Sequence, residues 1–184
     1  METSIMKLPE AIRKFQELDQ AGVYVFSRDD IQKMFPDEKE KALEKSLERL
    51  RGAGILEYPC KGVYINALAK SKKARVIEDI AAVLRRGSYS YVSLESILSE
   101  YGDISQIPVS MLTLMTTGPR GVYKTNYGTV EFTHTKRSLS EIAQRTVFDK
   151  ERRLRIATRE AARQDLRRVG RNLSLLAQPE YERS

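Results

Sequence analysis

Over residues 8–20 the apolar positions Leu8, Ile12, Phe15 and Leu18 recur at three- and four-residue steps, with polar residues between them. That period predicts an amphipathic helix with one buried stripe. Gly22 stops it, and residues 23–26, Val-Tyr-Val-Phe, form a short β-prone run. Ser27 reads as the N-cap of a second helix, with Asp29 and Asp30 in the first turn, where the helix dipole favours acids. Ile31, Met34 and Phe35 give it an apolar side, and Pro36 ends it. A third helix is predicted over residues 37–51, burying Leu43, Leu47 and Leu50 and terminated by Gly52 and Gly54. Residues 55–58 and 63–65 read as strands around Pro59-Cys60-Lys61-Gly62, whose residue types suit a turn. Helix, strand, two helices and a hairpin in this order predict a winged helix-turn-helix.

The composition shifts after Lys70, so the pattern predicts two domains, 1–70 and 71–184. A helix is expected over residues 71–86, with Val76, Ile80, Val83 and Leu84 facing inward. Residues 89–92 are strand-like, and Ser93 is placed to cap a helix over 94–98 that closes at Gly102. Strands follow at 111–117, 122–125 and 129–133, the last two joined by a tight turn at Asn126-Tyr127-Gly128. Residues 145–169 admit two readings. One is a single helix over about 149–166, because Arg and Glu are good helix formers. The other pairs residues 145–148 with 154–157, with Thr158 then capping a helix that Gly170 ends. Either way the fold class is α+β, a winged helix-turn-helix followed by a mixed α/β domain.

Charge changes this picture more than composition does. The 184 residues carry a net charge of +7, but residues 1–70 are neutral, 71–137 hold +3 and 138–184 hold +4. The expected DNA-binding domain therefore has no overall attraction for a polyanion. Each neutralised phosphate adds roughly 0.9 to the salt dependence of binding, so a single copy should bind weakly. Two copies on an inverted repeat, or help from the basic C-terminal domain, would be needed.

One cysteine, Cys60, and one histidine, His134, exclude an intramolecular disulfide and a zinc cage built from His and Cys. A reducing, cytoplasmic setting is expected. The longest aliphatic run, residues 80–84, falls far short of the roughly 20 residues of a membrane span. The sequence holds no nucleotide-binding glycine loop, no metalloprotease helix and no nucleophile elbow. No catalytic residue, metal or cofactor is assigned, and the chain is not expected to be an enzyme.

The stretch Tyr91-Val92-Ser93-Leu94-Glu95-Ser96-Ile97-Leu98-Ser99-Glu100-Tyr101-Gly102, then Ile107-Pro108 and Thr116-Thr117-Gly118, resembles the AbiEi-type antitoxins of type IV toxin–antitoxin and abortive-infection systems. Residues 127–134, Tyr-Gly-Thr-Val-Glu-Phe-Thr-His, are similar to that family's G-T-x-E-F-x-H strand, and the wing closing on Gly62-Val63-Tyr64 is similar too. The likeness covers about residues 8–170. The family's later I-A-x-P-E-K-A-L-x-D segment departs here to Ile-Ala-Thr-Arg-Glu-Ala-Ala-Arg-Gln-Asp over 156–165.

The resemblance implies a winged helix that binds inverted repeats in its own promoter and represses the operon. It further implies a C-terminal domain that opposes a nucleotidyltransferase-like toxin, and it favours the hairpin at 145–157. The C-terminal domain looks shortened, which motivates a second expectation, a stand-alone transcriptional regulator without an antitoxin role. A nucleic-acid-processing enzyme is a third, opposed by the missing acidic or histidine cluster.

In a winged helix the third helix enters the major groove, so Lys39, Lys41, Lys45 and Arg49 are the candidate DNA contacts there. Arg28 and Lys33 are placed to touch flanking phosphates, and Lys61 sits at the wing tip. The competing reading is a solvated helix face whose lysines pair with Glu40, Glu44 and Glu48 at i,i+4 spacing. Arg159, Arg163 and Arg167 recur every four residues in the densest arginine run. Such a stripe suits DNA, an acidic partner such as the toxin or its RNA, or plain solvent.

Overall fold

Helix α1 (Leu8–Gln20) carries Pro9 in its first turn, where a missing N–H costs nothing. Its buried residues are Ala11 and Phe15, flanked by half-buried Ile12 and Leu18, while Leu8 remains 37% exposed. Strand β1 (Val25–Ser27) leads directly into α2 (Arg28–Met34). Ser27 and Asp30 close a reciprocal capping box there, each side chain accepting from the other's backbone N–H. Helix α3 (Glu40–Gly52) starts three residues later than its composition suggests and buries Leu43, Ser46, Leu47 and Leu50. Strands β2 (Leu56–Cys60) and β3 (Val63–Asn66) form the hairpin, and the antiparallel sheet runs in the order β1-β3-β2. Gly62 has φ +80°, a left-handed turn position that L side chains rarely adopt.

The computed structural model describes residues 6–104 and 110–176. The protein is α+β and divides into two compact units, Met1–Leu84 and Arg85–Ser184. Helix α4 (Val76–Leu84), assigned to the second domain on composition, lies in the first unit and packs on β1 and β3. It begins five residues later than expected because residues 70–73 are held elsewhere. Asp19 accepts from the backbone of Lys70 and Ser71 and from the Ser71 hydroxyl. The Tyr24 hydroxyl accepts from the Lys73 N–H and donates to Asp79 at 2.5 Å. The composition shift at Lys70 thus marks an extended strap and not a boundary.

The second unit holds β4 (Ser90–Val92), α5 (Leu94–Glu100), β5 (Met111–Thr116), β6 (Gly121–Thr125) and β7 (Gly128–His134). They are followed by α6 (Leu139–Arg145), β8 (Thr146–Asp149), β9 (Leu154–Ala157) and α7 (Arg159–Val169). The six strands form one mixed sheet in the order β6-β7-β5-β4-β9-β8, with β5 parallel to β7 and β4 parallel to β9. Residues 145–169 form a hairpin and then a helix. Thr146 faces Ala157 and Asp149 faces Leu154, Thr158 caps α7 by accepting from the Ala161 N–H, and Gly170 ends it at φ +74°. Ile107 and Pro108 lie outside the described residues.

Two local readings need correction. Ser93 makes no capping bond to α5: its hydroxyl donates to Asp165 instead, and Leu94, the first residue of α5, is left-handed at φ +58°. Helix α6 was not anticipated, although Ser138 and Glu141 form a second reciprocal capping box.

Candidate nucleic-acid interface

At 100° per residue, Leu43, Leu47 and Leu50 fix the inward side of α3, which places Lys41, Lys45 and Glu48 on the opposite crest. The Lys41 and Lys45 side chains are exposed and make no hydrogen bond or ion pair among the described residues. The i,i+4 pairing with glutamates is therefore not formed at either lysine. Lys39, the residue before α3, and Lys33, in the last turn of α2, are likewise exposed and unpaired among the described residues. Lys61 occupies the turn between β2 and β3 in the same condition.

The two arginines assigned to this face are placed differently. The Arg28 guanidinium lies 3.3 Å from Glu40 and 3.9 Å from Glu44, across the gap between α2 and α3. Arg49 donates to the Met6 carbonyl, so part of its fork is committed to the chain's own backbone. The expected set thus separates into five free lysines and two tethered arginines.

One arrangement was not visible in the sequence. The Arg51 guanidinium, from the last turn of α3, lies over the Tyr58 ring of β2 at 4.4 Å, and Tyr58 packs on Tyr64 at 5.0 Å. The Tyr58 hydroxyl accepts a 3.2 Å hydrogen bond from the Gly62 N–H. Only the register of α3 against β2 brings residues 51 and 58 together, and no motif spacing signals it. Cys60, beside this group, is half-buried, which pushes its thiol up and away from thiolate reactivity.

In the second unit several arginines of the run are paired with acids while staying partly or fully exposed. Arg159 and Arg163 both grip Asp103, whose side chain is 3% exposed: Arg159 Nε donates at 2.9 Å, and Arg163 Nε and Nη2 donate at 2.8 Å each. Arg137 and Arg145 bind Asp165 at 2.7 and 3.2 Å, and Arg171 holds Glu95 and Glu131. Of the expected stripe, only Arg167 is exposed without a partner among the described residues.

Arg159 and then Arg163 hold the Asp103 carboxyl down at about 2, against its ordinary 3.8. A depressed carboxylate contributes stability that is complete above its unfolded pKa and is lost as pH falls through the folded one. Asp103→Asn should therefore be less stable than the parent at neutral pH, with the gap closing as pH drops from about 3.8 to about 2. Urea unfolding across that window measures it. A gap independent of pH would refute the assignment.

Chemistry is sparse among the remaining groups. His134 is exposed, and its Nδ1 lies 2.8 Å from the Gly118 carbonyl, which makes that nitrogen the protonated one. Burial, followed by the Asp165 charge, pushes the Tyr91 hydroxyl up to about 12, so it serves as a neutral hydrogen-bonding group. Among the described residues no group of three or more His, Cys, Asp or Glu could hold a metal ion, and no helix is long and apolar enough to cross a membrane. No protein-family model matches the chain, and no curated protein matches it in sequence.

Proposed function

We propose that the first unit is a winged helix-turn-helix and that the chain is a DNA-binding antitoxin that represses its own type IV toxin–antitoxin operon. The observation that carries the DNA reading is the pair of partnerless lysines, Lys41 and Lys45, on the outward crest of α3. A helix presenting unpaired cations beside a hairpin whose turn carries Lys61 suits a duplex: α3 in the major groove, the hairpin along the backbone. The antitoxin role rests on the likeness of residues 91–102, 116–118 and 127–134 to AbiEi-type proteins, and its target would be a nucleotidyltransferase-like toxin. The chain acts in this reading without catalysis, in the cytoplasm, as two copies on an inverted repeat.

Titration of the intact protein against the duplex directly upstream of its own reading frame should give a retarded complex that an unrelated duplex competes for poorly. Equal affinity for both duplexes would remove the repressor role. Co-expression with the product of the neighbouring reading frame tests the other half. Rescue from growth arrest supports the antitoxin. DNA binding without rescue would leave the stand-alone regulator, a reading favoured by the pairing of Arg159 and Arg163 with Asp103.

A further inference from the structure

We infer that Arg51 is a phosphodiester clamp and that Tyr58 is the residue that positions it. The inference rests on the DNA reading above and extends it to a contact outside the lysine crest. Arg51 is exposed and stacks on the Tyr58 ring, yet its guanidinium has no hydrogen bond or ion pair among the described residues. Glu48 lies one turn back on the same helix and Glu44 two turns back, and neither forms an ion pair with it. Arg28 is the contrast. It sits on the same side of α3 and is held by Glu40 and Glu44.

An arginine held by an aromatic face keeps its edge donors available. Stacking orders the planar fork without consuming an N–H, so less rotamer freedom is lost when an oxyanion binds. The fork then matches two phosphate oxygens in a bidentate contact. A lysine at the same place would be a point charge without the planar fork that matches two oxygens.

Tyr58 links this clamp to the hairpin turn. Its ring rests on Tyr64, which is 8% exposed, and its hydroxyl holds the Gly62 N–H next to Lys61. Its ring alone sets the Arg51 fork, while its hydroxyl lies beside the turn that carries Lys61. Lys41, Lys45, Arg51 and Lys61 are the exposed, partnerless cations, among the described residues, from which a track along α3 and the hairpin turn would be built. A phosphodiester backbone follows such a track, and an acidic peptide is the competing occupant that the test excludes.

The experiment measures affinity of the full chain against salt concentration, with the upstream duplex and with an unrelated one. Arg51→Ala should weaken binding to both duplexes by about 8-fold at 0.1 M salt and flatten the salt slope by about 0.9. Tyr58→Ala should lose most of the same affinity, and Tyr58→Phe, which keeps the ring, should restore it. The Arg51→Ala/Tyr58→Ala double variant should bind no worse than Arg51→Ala alone, because the ring acts through the guanidinium.

An unchanged slope in Arg51→Ala, with the parent protein still binding DNA, overturns the clamp and leaves the DNA reading standing. Additive losses in the double variant overturn the positioning role of Tyr58. Absence of DNA binding by the parent removes both. Competition by an acidic peptide at concentrations that DNA cannot match would assign the track to a protein partner.

Discussion

Asp165→Ala should destabilise the protein by about 3–5 kcal/mol, the usual cost of removing one partner from a buried ion pair. Asp165 is fully buried on α7, and four side chains converge on it. Arg137 and Arg145 donate to Oδ1, while the Ser93 and Tyr91 hydroxyls donate to Oδ2 at 2.8 and 3.1 Å. The two arginines are 12% and 22% exposed, so neither can recover full hydration when the carboxylate is removed. Two hydroxyls lose an acceptor at the same moment, each a further desolvation cost. Asp165→Asn should recover only part of the loss, since it keeps one acceptor and cancels no charge. Denaturant unfolding measures the effect, and a loss under about 1 kcal/mol for Asp165→Ala would show that water replaces the carboxylate.

The largest expected effect on binding belongs to the lysine crest. With about 0.9 of salt dependence per neutralised phosphate, one contact is worth about 8-fold in affinity at 0.1 M salt, and two are worth about 60-fold. Lys41→Ala/Lys45→Ala should therefore bind the upstream duplex about 60-fold more weakly, with the log–log salt slope flatter by about 1.8. Stability should stay within about 0.5 kcal/mol of the parent, because both side chains are exposed and alanine is a good helix former. An unaltered slope would mean that α3 is not the face that meets DNA. Lys39→Ala should have a smaller effect if the helix enters the groove by its crest rather than by its end.

Sequence alone places α1, α2 and α3 because their buried stripes are local properties, readable from the spacing of Phe15, Ile31, Leu43, Leu47 and Leu50. Ser27, Thr158 and Gly170 cap helices for reasons that one or two neighbours determine. The lysines of α3 were legible for the same reason: an outward side follows once an inward side is known. The arginines were not. Whether Arg159 and Arg163 are paired depends on Asp103, more than fifty residues away, which the packing of α5 on α7 brings near them. Arg51 and Tyr58 meet only through packing of α3 on β2. Ser93 misleads because its hydroxyl has a stronger distant acceptor than any local one, and Leu94 adopts a left-handed backbone that no local preference of leucine suggests.

The strap that ties residues 70–73 to Asp19 and Tyr24 bears on how this protein can be dissected. A fragment ending at Lys70 would lose α4 along with the Asp79 carboxylate that the Tyr24 hydroxyl donates to. It would also uncover the sides of β1 and β3 on which that helix lies. Such a piece would fail in solution for want of a lid over its own sheet, and its failure would say nothing about affinity for DNA. The smallest portion that keeps its inside covered ends at Leu84, so fusions and domain swaps should be joined there, past the helix, and not at the change in composition.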